Sequence, residues 1–234
     1  MNGTGRTVLV AALITVLVVV GGAAYFLTTG TRLPWSPAET PTRFLLVAGS
    51  ADDAGAVVAQ VIALVDTGQQ TVTAVAPDLA VTIPGTTYSE LKDAYPFGGG
   101  AAVAEAYAKA TGTTQLPYIA ISPGQLLQAI DGLATVSVTL PADMDVFDGD
   151  TLYSFEAGTC SLSGAEFAAV AKGRPYLTRA QRTQLDDSLA AALVNAAAVW
   201  PGGLEAALKD GELKTDIPPK VFSDLVVRLS AFAQ

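Results

Sequence analysis

From Thr7 to Leu27 the chain reads TVLVAALITVLVVVGGAAYFL, with no charged residue. At 1.5 Å per residue, roughly 20 such residues cross the ~30 Å hydrocarbon core of a bilayer. A cleavable signal peptide carries an apolar stretch of only about 7–15 residues before a small-residue cleavage site. This run is longer, and no clear A-x-A site follows it. The expectation is one N-terminal transmembrane helix over 7–27, preceded by a short head, 1–6.

Lys and Arg near the span do not set its orientation. Arg6 lies on one side, Arg32 and Arg43 on the other. The head MNGTGR has the form of a signal-anchor start, and such spans export the domain on their C-terminal side. The expected location is therefore the cell membrane, single-pass, with an extracytoplasmic body. Residues 28–42, TTGTRLPWSPAETPT, hold three prolines and five threonines, the composition of an extended tether.

Composition then removes whole classes of chemistry. The 234 residues include one cysteine and no histidine, which excludes Ser-His and Cys-His nucleophile pairs, imidazole zinc sites and an intrachain disulfide framework. A net charge of −9 opposes binding to a phosphate backbone over a large surface, so nucleic acid is not an expected partner. Oxygen-ligand metal chemistry, carboxylate or arginine chemistry, and plain binding survive. Cys160 is expected to be a buried small hydrophobe and not a reactive thiol.

The remaining 43–234 alternates strand and helix patterns. Strands are expected from Arg43 to Val47, Val57 to Val65, Gln70 to Ala76, Leu116 to Ile121 and Ala134 to Leu140. Helices are expected at Tyr88–Ala94, Ala101–Ala110, Gln125–Ile130, Arg179–Val199 and Val221–Phe232. Another runs from an N-cap at Ser163 to Lys172, with Glu166 completing a capping box. Trp200-Pro201-Gly202-Gly203 marks a stop. The fold class is α/β: a layered α/β/α domain with a mixed central sheet.

Four groups of residues invite a functional reading. Gly98-Gly99-Gly100 precedes a helix but lacks the Gly-Lys-Ser/Thr ending of a phosphate loop, which leaves a flexible turn. Asp143, Asp145, Asp148 and Asp150 fail the EF-hand pattern, because Phe147, Asp148 and Ser154 stand at its positions 5, 6 and 12. They are expected in a solvated acidic turn. Asp78 follows a strand end, a place for an active-site residue or an ordinary turn. Lys172, Arg174, Arg179 and Arg182 place four of the thirteen basic residues within eleven positions. Arg179 and Arg182 share a helix face near its N-terminus, where dipole and guanidinium both favour a phosphate. A solvated face balanced by Asp186 and Asp187 fits the same pattern, and both readings stay open.

Taken in order, PDLAVTIPG (Pro77 to Gly85), LKDAYPFGGG (Leu91 to Gly100), ATVSVTLPADM (Ala134 to Met144), the Gly158 to Gly164 turn and KGRPYLTRAQR (Lys172 to Arg182) resemble the LytR-CpsA-Psr family of cell-envelope proteins. The resemblance runs from about Phe44 to the C-terminus. It implies an exported, anchored protein that transfers a polyprenyl-pyrophosphate-linked glycopolymer onto peptidoglycan. In that family the lipid lies in an apolar pocket and its pyrophosphate lies among arginines, with magnesium.

Carried over residue by residue, the family's strand arginine falls on Pro77 and its aspartate on Asp78. Its lysine and asparagine fall on Glu90 and Lys92. Its acidic magnesium ligands fall around Ala51 and Gln60, with Asp52 or Asp53 able to replace the first only after a shift. The Arg-x-Arg pair becomes Lys172-Gly173-Arg174, followed by Arg179 and Arg182, and Tyr176 to Thr178 replace a preceding aspartate.

The resemblance therefore implies a divergent member that binds polyprenyl-linked lipid or cell-wall polymer through Lys172, Arg174, Arg179 and Arg182. Its catalytic site is degenerate, and Asp78 is the one catalytic candidate. No cofactor is expected; Mg²⁺ belongs only to the alternative, an active phosphotransferase with a rearranged metal site. Membrane contact through the N-terminal helix and an envelope protein partner are further expectations. A generic exported ligand-binding domain is the second alternative.

Overall fold

Phe44, Leu46 and Ala48 turn to one side of strand β1 (Arg43–Ala51), and Leu45 and Val47 to the other, all at most 1% exposed. A strand apolar on both faces must lie inside a sheet covered on both sides. The computed structural model describes residues 39–52 and 55–233 and places β1 in that position. The central sheet has the order β3-β2-β1-β4-β9, with β2 Val57–Asp66, β3 Thr71–Ala74, β4 Tyr118–Ile121 and β9 Lys214–Thr215. β1 runs parallel to β4 and antiparallel to β2, so the sheet is mixed.

One face is covered by a 3-10 helix, Leu91–Phe97, and helix α1, Gly99–Thr111, which bury Leu91, Ala94, Val103 and Ala104. The larger core fills the other face. There α2 (Pro123–Asp131), α3 (Gly164–Gly173), α4 (Arg179–Val199) and α6 (Pro219–Leu229) bury Leu126, Phe167, Leu189 and Phe222, among others. Gly100 sets how closely α1 approaches the sheet. A Cβ there would lie 2.4 Å from the Tyr118 ring and 2.7 Å from the Ala120 methyl. The Gly98–Gly100 run is therefore a close-packing device at its last position, not merely a flexible turn.

Several expected boundaries move. The expected Tyr88–Ala94 helix is instead the 3-10 helix Leu91–Phe97, which carries Pro96 inside it. The Gly158 to Gly164 turn is largely strand β8, Gly158–Leu162, paired with β5, Val136–Leu140. The acidic stretch forms a hairpin of β6 (Met144–Asp148) and β7 (Thr151–Phe155). Gly149 takes φ +59° at the first position of its two-residue turn, a conformation glycine adopts freely. Pro201 opens helix α5 (Pro201–Lys209) after the stop at Trp200, because a proline at a helix start gives up no needed N–H.

The head, the expected 7–27 span, most of the tether and Asp53 lie outside the described residues. Among the described residues no single helix is long and apolar enough to cross a membrane.

Candidate functional site

α4 starts where Thr178 stops the preceding 3-10 turn, Arg174–Tyr176. The Thr178 hydroxyl accepts the Gln181 N–H, and the Gln181 side-chain oxygen accepts the Thr178 N–H at 2.9 Å. This reciprocal cap fixes the phase of the helix, so Arg179 points to solvent and Arg182 folds back over the turn. Arg182 Nε donates to the Leu177 carbonyl at 3.0 Å and Nη2 to the Pro175 carbonyl at 2.8 Å.

The turn also buries Arg174, whose side chain is 7% exposed. Its Nε and Nη2 donate to the two oxygens of Asp186 at 2.5 and 2.7 Å. Nη2 also donates to Asp78 Oδ1 at 2.9 Å, while Asp78 Oδ2 accepts from Arg182 Nη1 at 3.3 Å. Two carboxylates and two guanidiniums thus form one chain, Asp186–Arg174–Asp78–Arg182, with no net charge.

The bond from Arg174 holds the Asp78 carboxyl below its ordinary 3.8, with burial opposing and Arg182 assisting. Burial weighs against the charge on Arg174, but the bonds to Asp186 and Asp78 outweigh it and raise its pKa. Burial pushes the Asp186 carboxyl up, and the bonds from Arg174 pull it the other way.

The expected cluster of four bases is therefore divided. Arg174 and Arg182 meet at Asp78. Lys172 reaches Asp148 on the hairpin at 3.2 Å. Arg179 is exposed, and its side chain meets no partner among the described residues. Arg174 does not stand at a pocket mouth, as an exposed anion ligand would; it is buried between two carboxylates.

Sequence spacing presents Asp186 only as a counter-charge on a solvated face, yet it is buried and holds Arg174. A signal for this was available. Asp186 is in helical phase with Leu189, Ala190 and Leu193, so it sits on the apolar stripe of α4. An acid on such a stripe needs a cation from elsewhere.

The carboxylate positions that the resemblance assigns to magnesium offer little. Ala51 has no ligand atom. Gln60 is the extra residue of a bulge in β2, since Ala48 pairs with Val61 and Gly49 with Ala59. It is buried and supplies only a neutral amide. Glu90 and Lys92 pair with each other at 2.8 Å. Among the described residues no three Asp, Glu, Cys or His side chains gather as a metal site would require. Hard cations draw on several oxygens, carboxylates among them, so this donor set does not fit magnesium.

A cavity of about 340 Å³ opens farther along α4, lined by Val72, Ser137, Ala191, Val194, Asn195 and Phe232 among others. Arg182 and Asn195 are thirteen residues apart on that helix, about 20 Å at 1.5 Å per residue.

No protein-family model matches the sequence, and no curated protein matches it. Solved structures do match the fold. The LytR-Csp2A-Psr enzyme from Actinomyces oris superposes with a TM-score of 0.57 at 21% identity, over 82% of this chain and 76% of that one. TagV of B. subtilis matches at 0.55 and 16% identity, over 82% and 81%. A protein described as a transcriptional regulator from Enterococcus faecalis matches at 0.56 and 20%, over 81% and 72%. The chain has a LytR-CpsA-Psr-like fold.

Proposed function

We propose that this chain is a membrane-anchored cell-envelope protein of the LytR-CpsA-Psr kind that binds a polyprenyl phosphate or pyrophosphate head without transferring its polymer. One observation carries the reading: Asp78, the match to the family's aspartate, has both oxygens engaged by Arg174 and Arg182. A carboxylate whose charge is already shared between two guanidiniums is a weakened ligand for a cation, although each oxygen keeps a second lone pair. With Ala51 and Gln60 at the remaining positions, no metal-assisted step follows from these residues.

What remains suits binding. Arg179 and Arg182 stand in the first turn of α4, where unpaired N–H groups and the helix dipole favour an anion. The cavity along α4 lies within the range of about 300–1,000 Å³ typical of ligand pockets, and Val72, Ala191, Val194 and Phe232 give it apolar wall beside the polar Ser137 and Asn195. A prenyl chain reaching it from Arg182 would have to lie along the helix. The expected span at 7–27 would hold the body beside the membrane in which such a lipid resides. The net charge of −9 weighs against nucleic acid.

The test uses the full chain in detergent with fluorescent farnesyl pyrophosphate, alongside a glycopolymer-transfer assay on peptidoglycan. Saturable binding that persists in EDTA, with no transfer at millimolar Mg²⁺, is the expected result. Transfer that depends on Mg²⁺ would restore the active-enzyme reading. Absence of binding would leave only a generic ligand-binding domain.

A further inference from the structure

We infer that the Asp78 carboxylate is a resident occupant of the anion seat between Arg174 and Arg182, which a diphosphate must displace in order to bind. The inference rests on the reading that this site takes a phosphorylated head. It adds that the protein carries its own competitor for that head.

The two carboxylates on Arg174 are unequal. Asp186 makes two bonds, at 2.5 and 2.7 Å, and its side chain is 8% exposed. Asp78 makes one bond to Arg174 at 2.9 Å and one to Arg182 at 3.3 Å, and its side chain is 31% exposed. If Asp78 leaves, Arg174 remains paired with Asp186. Arg182 remains fixed on the carbonyls of Leu177 and Pro175. Both guanidiniums thus stay in place and charged, and only the seat between them opens.

Guanidiniums accept carboxylate and phosphate oxygens with the same planar geometry. A single carboxylate brings one negative charge to that seat, and a diphosphate brings more. The resident aspartate therefore acts as a filter, excluding carboxylates and weakly charged anions while yielding to a diphosphate.

Displacement would also move chain. Asp78 belongs to a strip tied to the segment leading into the 3-10 helix. Lys92 donates to Pro77, Leu91 to Leu79 and Val81 to Ser89, each at 2.9 Å. These amides report on whether the strip stays zipped.

The experiment compares wild type with Asp78→Asn, both as full chain in detergent with EDTA, using inorganic pyrophosphate and farnesyl pyrophosphate as probes. Asp78→Asn should bind both at least tenfold more tightly. In the wild type, either probe should speed hydrogen exchange at Val81, Leu91 and Lys92 while slowing it in the first turns of α4. Equal or weaker binding by the variant, or protection of those three amides, overturns the inference while the lipid reading stands. If neither protein binds either probe, the lipid reading itself fails and the inference falls with it. Should the variant not fold, the exchange pattern of the wild type decides.

Discussion

Asp186 grips Arg174 with both carboxylate oxygens, and neither side chain is more than 8% exposed. The pair joins α4 to the turn that follows α3, on the larger core of the sheet. Two charges withdrawn from water depend on each other. Removing Arg174 leaves Asp186 buried without its counter-charge, and removing Asp186 leaves Arg174 with only its single bond to Asp78, a cost that exceeds what the intact pair contributes.

Asp186→Ala should accordingly destabilise the fold by about 3–5 kcal/mol, the usual cost of breaking a buried ion pair. At about 2–4 °C per kcal/mol for a domain of this size, the melting temperature falls by on the order of 10 °C. Differential scanning calorimetry of wild type, Asp186→Ala and Asp78→Ala checks the order. Asp78 is the more exposed partner, so its removal should cost less than half as much. Equal losses would show that the two carboxylates are equivalent supports.

The same network sets a pH dependence. The folded-state pKa of Asp78 is depressed, so its contribution is fully present above the ordinary value of 3.8 and is lost as pH falls through the lower folded value. Partial exposure limits that contribution to about 1 kcal/mol or less. The difference in stability between wild type and Asp78→Asn should be constant above about pH 5 and should close below 3.8. Urea midpoints across that range measure it. A difference that grows in acid would mean that Asp78 is destabilising where it sits.

Much of the architecture was legible because local signals agreed with tertiary demands. Ser163 with Glu166 closes the expected capping box, and Arg179–Val199 is helical over its whole expected length. The alternation of strand and helix patterns pointed to a sheet covered on both faces, as β1 is. Failures came where local chemistry has two solutions. Gly158 and Gly164 bracket a segment that looks like a turn, yet Thr159 to Leu162 pair along β5. The aspartates of β6 point outward at Asp145, while Met144 and Val146 bury against α3 and its neighbours, so an acidic stretch is half a hairpin. The site was half legible. Arg174 and Arg182 could be found by spacing, but their partner Asp78 lies 96 and 104 residues away and is not written locally.

Gly100 offers a test of packing that is independent of the charges. A methyl group there meets the Tyr118 ring at 2.4 Å and the Ala120 methyl at 2.7 Å, distances that force α1 away from β4. Gly100→Ala should cost about 1–3 kcal/mol, as overpacking of a filled core does. It should lower the urea midpoint with an unchanged slope. A neutral or stabilising result would mean that α1 shifts freely and that the glycine serves only the turn before it.

One arginine holds the fold, and another meets solvent. Arg179 is exposed with no side-chain partner among the described residues, so Arg179→Ala should change stability by no more than about 0.5 kcal/mol. Arg174 is buried between Asp186 and Asp78, so Arg174→Ala should destabilise by about 3–5 kcal/mol. Binding separates them in another way, because only Arg179 can be removed without disturbing the buried chain of charges. A charge-assisted bond to phosphate contributes about 1.5–3 kcal/mol, and 1.4 kcal/mol is a factor of ten, so Arg179→Ala should weaken farnesyl pyrophosphate binding roughly tenfold or more. Measuring melting temperature and lipid affinity on the same two variants distinguishes the roles. If Arg179→Ala binds like wild type, the first turn of α4 is an ordinary solvated surface. An Arg174→Ala protein that melts like wild type would show that the buried chain of charges does not hold the fold.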